Sequence, residues 1–478
     1  MRPQRGALSL LFLVSGSHGQ AAGTGNNAGF KIPIQNDKER GGYFMNVTIG
    51  TPGQELALQL DTGSSDVWVP SSNAKLCREQ SGGGCSLGSF NVEESDTFDN
   101  DTNSLFAIAY QDQSSSRGTY FKDQFLIGMA SLPRFTMGLG ARTTIPYGLA
   151  GVGYASDEAA LSTTRKAYPN LPLALQQAGY IEAAAYSLWL NDLDASTGNI
   201  LFGAIDTEEF VGDLKRIPIL PDSGSNKFTS FLVSMYSLEA RSSSGSDFLT
   251  SIELPLPVVL DSGTTFTYLP QSLADQVWEE VGARWEPQAG LALLPCSYAN
   301  HPGHFSFNFA GPDGPRVNVT MNELVVPFTS GDGAEFESGP YQGQSACAVG
   351  ILNQTGPPYL LGDTFLRSAY VVYDLSNNEI GIAPTNFNTS KSNVVPFPSK
   401  GATIPSATAV PNEPNRPQLQ PARSPMKAAK GFQTGQSAAS QSRLSTSVSI
   451  IVFMLTILFH SSEHLRAFGA TLNAVYQL

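Results

Sequence analysis

Two short segments of this sequence set an aspartate in nearly the same surroundings. Leu60-Asp61-Thr62-Gly63-Ser64-Ser65 reappears 200 residues later as Leu260-Asp261-Ser262-Gly263-Thr264-Thr265. Each copy follows an apolar run. Each is followed by an aromatic residue at the same step (Trp68, Tyr268) and by a proline two further on (Pro70, Pro270). A single Asp before Thr-Gly or Ser-Gly reads as a turn or cap. A matched pair carries more. An Asp at the end of an apolar strand is costly to bury alone, but two such carboxyls that meet can share one proton. Like charges a few ångströms apart do not both ionise easily, so one acid titrates low and the other high. The ionised member can then act as general base on a water while the protonated member polarises a carbonyl. Gly63 and Gly263 let the backbone turn and come close to its counterpart. Thr62 and Ser262 offer hydroxyls across the junction, and Ser64 and Thr264 offer donors to the outer carboxylate oxygens.

A pair of half-sites needs two similar halves to hold them, and the surrounding pattern supplies candidates. From Gly42 to about Pro384 short segments alternate apolar and polar residues between turn signals: Tyr43–Ile49, Leu56–Leu60, Val67–Val69, Phe106–Tyr110, Tyr186–Leu190, Ile200–Phe202 and Tyr370–Tyr373. Leu273–Val281 is the best helical stretch. The expectation is an all-β, bilobal body. Its N-terminal lobe spans 42–211 and its C-terminal lobe 212–388, with a cleft between them.

The bulk properties suit such a body outside the cell. Acids outnumber bases by 41 to 28, giving a net charge of −13, which argues against a nucleic-acid partner. The N-terminus reads as a secretion signal over residues 1–19: Arg2 and Arg5, then apolar Ala7 to Val14, then small Ser17 and Gly19. The four cysteines, Cys77, Cys85, Cys296 and Cys347, are even in number and so favour disulfides. Sequence alone allows three pairings; Cys77–Cys85 with Cys296–Cys347 is the simplest, since each closes a local loop. The spacings do not suit a metal, and no cofactor is expected. Asn46, Asn100, Asn318, Asn353 and Asn388 each begin an Asn-x-Ser/Thr tripeptide and are candidate glycan acceptors.

The ends of the chain differ in character. Residues 20–41 form a short N-terminal, pro-like segment. Residues 389–447 are rich in Pro, Ser, Ala and Gln, and such a composition predicts an extended, disordered linker. Val448 to Phe459 is an uncharged apolar run, short of the roughly 20 residues of a comfortable membrane span. With the small residues Gly435, Ser437, Ala438 and Ala439 ahead of it, it has the form of a GPI-attachment signal with Ser437 as candidate site. A short span, a peripheral anchor, or no anchor are the alternatives, because His460 to Leu478 continues past the apolar run.

At the two Asp-x-Gly copies the sequence resembles the pepsin family of aspartic endopeptidases, and within it the fungal cell-surface proteases of the yapsin type. The resemblance covers about Gly42 to Pro384. Asn46-Val47-Thr48-Ile49-Gly50-Thr51-Pro52-Gly53-Gln54 is similar to the family's first strand and turn. Leu149-Ala150-Gly151 and Leu360-Leu361-Gly362 are similar to the segments that back the two catalytic loops. Tyr370–Asp374 and Ile380–Pro384 resemble its closing strands. The resemblance implies catalysis by Asp61 and Asp261 at acidic pH on protein or peptide substrates, by a monomer. It implies disulfides Cys77–Cys85 and Cys296–Cys347, and a flap over Phe106 to Gly118. On that flap Tyr110 would bond the indole of Trp68, and Asp112 at the tip would touch substrate. Yapsins prefer basic residues beside the cleaved bond; the acidic run Glu93, Glu94, Asp96, Asp99 and Asp101 would suit them, although a solvated loop is the plainer reading. Two features depart from the family. The segment before Gly42 offers only Lys31, Lys38 and Arg40 where a longer basic pro-segment is usual, and Tyr147 precedes Gly148 where an acid is common. The competing readings are an inactive binding protein on the same scaffold, which would be free to lose an Asp or a flanking Gly, and a structural wall glycoprotein, which leaves the repeat unexplained.

Overall fold

The alternating segments become strands in a computed structural model that describes residues 29–79, 83–328, 334–410 and 426–433. In Phe30–Asp37 the side chains of Phe30, Ile32 and Ile34 are buried and those of Lys31, Pro33 and Gln35 are exposed, as in a half-covered strand. Ala369–Asp374 is buried at every position because it lies inside a sheet covered on both faces. The expected all-β body is present, built around one main hydrophobic core. That core runs without a break from Phe30 and Met45 through Phe121, Tyr186 and Tyr373 to Phe305 and Phe365.

A sheet of 14 strands spans the N-terminal lobe and the junction. At the junction Lys215–Pro218, Glu379–Pro384, Ala369–Asp374, Ala185–Trp189, Thr197–Phe202 and Phe30–Asp37 lie side by side. The sheet then continues through Gly42–Ile49 and Gln54–Asp61 into the N-terminal lobe and ends on the long hairpin Asp99–Ala109 and Ser115–Ile127. The C-terminal lobe has its own sheet of eight strands, built around Leu232–Ser242, Leu256–Leu260 and Thr267–Pro270.

The same crossing occurs in both lobes. Gln54–Asp61 pairs in parallel with Gly148–Gly151, with Asp61 opposite Gly151, and Gly148–Gly151 pairs antiparallel with Val67–Pro70. Leu256–Leu260 pairs in parallel with Tyr359–Leu361, with Leu260 opposite Leu361, and Tyr359–Leu361 meets Thr267–Pro270 antiparallel at Tyr268 and Leu360. Each Asp-x-Gly turn is thereby held between two strands of its lobe and a third that backs it. The helix Gln271–Val281 braces the second crossing. Leu273, Ala274, Val277, Trp278 and Val281 form its buried face, spaced as a helix requires. Gly282 ends it in the left-handed region at φ 70°, and Trp278 Nε1 donates to Ile351 O at 2.8 Å. Disulfides join Cys77 to Cys85 and Cys296 to Cys347.

Two expectations about the ends need correction. The segment before Gly42 is an integral strand in its described part: Phe30–Asp37 pairs with Thr197–Phe202 and with Gly42–Ile49. Its bases are engaged in the body. Lys31 bridges Asp206 at 2.7 Å and Glu209 at 2.8 Å, Lys38 bridges Asp194, and Arg40 bridges Asp37. The segment after 388 is likewise no free linker up to residue 410. Val394–Pro396 pairs antiparallel with Ala204–Asp206, and Thr408–Ala409 pairs in parallel with Lys215–Pro218. Phe397 and Ile404 are buried among Trp189, Leu214, Tyr370 and Val372. A segment this poor in apolar residues cannot build a core, but it can complete one. Exposed strand edges offer unpaired backbone groups, and two large side chains suffice to cover the sheet face beneath. The expected signal segment 1–19, the GPI candidate Ser437, and the run 448–478 lie outside the described residues.

If the strap over 391–410 is part of the folded unit, Phe397→Ala should cost about 3–5 kcal/mol in chemical denaturation. A stability equal to that of the unsubstituted protein would return this segment to the status of a linker.

Candidate active site

The two turns meet at the junction of the lobes, and reciprocal hydrogen bonds lock them together. Thr62 Oγ1 donates to Leu260 O at 2.8 Å and accepts from Ser262 N at 2.9 Å. Ser262 Oγ donates to Leu60 O at 3.0 Å and accepts from Thr62 N at 3.2 Å. Each hydroxyl therefore serves the backbone of the opposite lobe once as donor and once as acceptor. All of these atoms belong to buried residues, where a satisfied network is rigid and a broken one is expensive.

This lock brings Asp61 and Asp261 face to face. They are 3 % and 8 % exposed, and their carboxyls are close enough for each to act on the other. The inner oxygen of each accepts from the glycine of its own turn: Gly63 N to Asp61 Oδ1 at 2.8 Å and Gly263 N to Asp261 Oδ1 at 2.9 Å. The outer oxygens accept from Ser64 Oγ and, at 2.6 Å, from Thr264 Oγ1. Glycine is required at both turns for space. A Cβ on Gly63 would stand 2.4 Å from Asp261 Oδ1, and a Cβ on Gly263 would stand 2.4 Å from Asp61 Oδ1. Gln59 Nε2 adds a further tie to Gly263 O at 3.2 Å.

Electrostatics follow from the geometry. Burial raises the Asp61 carboxyl well above the usual range, and the negative charge of Asp261 raises it further. Burial also raises Asp261, while the Thr264 hydroxyl and the Gly263 N–H oppose the rise. The pair therefore retains one proton between its two carboxyls at pH values where ordinary carboxyls have lost theirs.

The hairpin of Asp99–Ala109 and Ser115–Ile127 carries Tyr110 at its tip near the pair, where the charge of Asp61 acts on the Tyr110 hydroxyl. Trp68 Nε1 donates to Tyr110 Oη at 2.8 Å, and Trp68 is fully buried against Phe106. The tip is a tight turn. Tyr110 N donates to Ser114 O at 2.9 Å, Gln113 takes φ 70°, and Asp112 Oδ1 accepts from Ser114 N at 2.9 Å. Asp112 thus shapes the tip, and its charge also acts on Tyr147 of the N-terminal lobe and Tyr268 of the C-terminal lobe. Tyr147, where an acid was common in the resemblance, packs edge-on against Phe44. Of the acidic run, Asp99 bridges Arg134 at 2.5 Å and Asp101 accepts from Ser104 at 2.6 Å; Glu93 and Glu94 sit in a short exposed turn.

Sequence reasoning passed over a third carboxyl. Asp66 is fully buried and accepts from Tyr120 Oη at 2.6 Å, Tyr168 Oη at 2.8 Å and Ala159 N at 2.8 Å. It pins the strand Ser115–Ile127 and the segment after Gly153 beneath the first Asp-x-Gly turn. The available signal was an acid placed directly before the apolar run Val67-Trp68-Val69. Asp363, one step past Gly362, is a fourth: it is buried, and burial raises its carboxyl strongly, with the Arg367 guanidinium opposing. Among the described residues no cluster suited to a metal ion occurs.

Buried acids of this kind set the response of stability to pH. Burial pushes Glu158 up to about 8, and Asp61 and Asp363 are raised as well. An unfolded acid titrates near 4, so above that pH the folded chain holds protons that the unfolded chain releases. Stability should therefore be fully present below about pH 4 and fall as the pH rises toward 8. Thermal melting at pH 4 and at pH 8 checks this: a lower midpoint at pH 8 is expected, and an equal or higher one would contradict the assignment.

Comparison with known proteins adds an independent line. A sequence profile described as "Eukaryotic aspartyl protease" matches residues 42–385. The chain is 40 % identical over 380 residues to the probable aspartic-type endopeptidase OPSB of Arthroderma benhamiae, covering 79 % of this chain and 75 % of that protein. It is 32 % identical over 386 residues to the aspartic proteinase yapsin-3 of Saccharomyces cerevisiae, covering 78 % and 71 %, and 33 % identical over 354 residues to secreted aspartic protease 8 of Candida albicans, covering 73 % and 77 %. In fold it is similar to the crystal structure of aspartic proteinase from Irpex lacteus, with a TM-score of 0.58, 21 % identity, and coverage of 76 % of this chain and all of the other.

Proposed function

The chain belongs to the eukaryotic aspartyl protease family, and from that membership we propose that it is an aspartic-type endopeptidase whose chemistry is carried by Asp61 and Asp261. The observation that supports the residue assignment is the pair of buried carboxyls brought face to face by the Thr62–Ser262 lock. The ionised carboxyl of the pair takes a proton from a water between the two as that water attacks the peptide carbonyl carbon. Its protonated partner gives its proton to the carbonyl oxygen. The tetrahedral diol then collapses: the amine nitrogen takes the proton that came from the water, the C–N bond breaks, and one diol hydroxyl returns its proton to the other carboxyl as the carbonyl re-forms, so the pair again holds one proton. Water is the only co-reactant.

The flap supports the binding side of this reading. Tyr110, held by Trp68, presents an aromatic body with a tethered polar tip near the pair, which suits a lid that sheds water and orients an extended peptide. Asp112 places a negative charge at the mouth of the cleft and favours substrates with a basic side chain near the cut bond. The acids at 93–101 belong to a solvated edge and contribute little to that choice.

Secretion or cell-surface placement fits the relatives, and attachment through a GPI group at Ser437 is the reading we favour for the tail. Among the described residues no helix is long and apolar enough to cross a membrane. Asn46, Asn100, Asn318 and Asn388 are exposed and open to glycans, and the body acts as a monomer. Release of the protein from intact cells by a phosphatidylinositol-specific phospholipase C is the expected outcome; retention after that treatment, with release by detergent alone, would contradict the anchor.

The catalytic assignment is tested by digesting a peptide library between pH 3 and 7. Asp61→Asn and Asp261→Asn should each abolish turnover while the variants still melt cooperatively. Pepstatin should block the unsubstituted protein, and Asp112→Asn should lose preference for basic residues rather than overall activity. Full turnover in Asp261→Asn would overturn the mechanism.

A further inference from the structure

The C-terminal lobe carries a piece of chain that proteolysis leaves unexplained. The helix Lys427–Gln433 packs on the hairpin of Leu232–Ser242 and Gly245–Leu249 and on the helix Gln271–Val281. Its seven residues are too few to hold a helix in water unaided, yet Ala428, Ala429, Gly431 and Phe432 are buried, while Lys427 and Lys430 face solvent. The Phe432 ring stacks on Phe305, with centroids 5.6 Å apart and planes 12° apart, and lies 5.5 Å from the ring of His301.

The surface beneath is shaped for this occupant. A Cβ on Gly303 would stand 2.1 Å from the Phe432 ring, and a Cβ on Gly431 would stand 2.1 Å from Ser242 Oγ. The polar contacts are equally specific. The buried Asp247 accepts from Ala428 N at 2.6 Å. Ser242 Oγ donates to Ala428 O at 2.6 Å. Ser244 Oγ donates to Lys427 O and accepts from Gly431 N at 2.7 Å. Gln433 Nε2 donates to Glu279 O at 3.3 Å. An aromatic slot, a glycine floor and side chains that satisfy the helix backbone are the parts of a peptide-recognition groove of the helix-in-groove kind.

We propose that this groove is a separable peptide-docking site whose ligand is the chain's own segment 426–433. The site holds the tail to the catalytic body without a covalent bond, so the chain beyond Gln433 departs from the C-terminal lobe rather than from the strap that ends at residue 410. A cut between 410 and 426 would leave the body attached to its tail. The short tether keeps the segment at an effective concentration on the order of millimolar near its groove, which selects the chain's own tail over that of a second copy. The proposal is independent of the catalytic reading.

The test uses the full chain with a recognition site for a sequence-specific protease inserted between Pro411 and Pro425. After cutting, size-exclusion chromatography with light scattering should show the tail fragment travelling with the body, one to one, at monomer mass. An excess of synthetic peptide 424–434 should displace it. Phe432→Asp and Gly303→Val should each lose the co-elution, with cooperative melting of the uncut variants as the folding control. Departure of the unsubstituted tail on cutting, or its retention in Phe432→Asp, would overturn the proposal. A particle of dimer mass would assign the groove to the tail of a second copy and overturn the intramolecular assignment.

Discussion

Two hydroxyls hold this structure's chemistry in place. Thr62 and Ser262 each reach across the junction to the backbone of the other lobe, and the distance they fix is the distance between the carboxyls beside them. The constraint is tight because both adjoining glycines already lack the room for a single carbon. Much of the fold can be read as support for that contact. The paired crossings set each turn between strands, the helix Gln271–Val281 backs the second, and Asp66 with its two tyrosines ties the flap side to the first.

Holding two acids together out of water opposes folding, and the protein offsets this in two ways. Donors from Gly63, Ser64, Gly263 and Thr264 surround the carboxyl oxygens, and one proton stays with the pair. The second device works best where protons are plentiful. The same reasoning extends to Glu158 and Asp363, which lie outside the dyad and are also raised by burial. The proposed catalysis and the predicted stability thus draw on the same desolvation of carboxyl groups.

Much of this was legible in the sequence because it is written twice. The Asp-x-Gly copies, the aromatic and proline that follow each, and the apolar-apolar-Gly segments behind them are short, local and repeated, so position along the chain predicts position in space. What escaped is what depends on distant partners. Asp66 finds Tyr120 and Tyr168 at separations of 54 and 102 residues, and Lys31 finds Asp206 across 175; no local pattern announces either. The strap and the docked helix were hidden by composition. Their few large side chains, Phe397, Ile404 and Phe432, signal nothing until a sheet face or a glycine-floored slot exists to receive them. A rule that asks whether a segment can bury a core of its own overlooks segments that finish the core of another.

The sharing of one proton is the claim most open to direct measurement. Carbon-13 labelling of the aspartate carboxyls, with assignment from single Asp→Asn variants, allows the two signals to be followed by NMR from pH 3 to pH 8. The account predicts two coupled steps far apart, one of them well above the usual carboxylate range. Two independent titrations, both near the ordinary value of about 4, would contradict it.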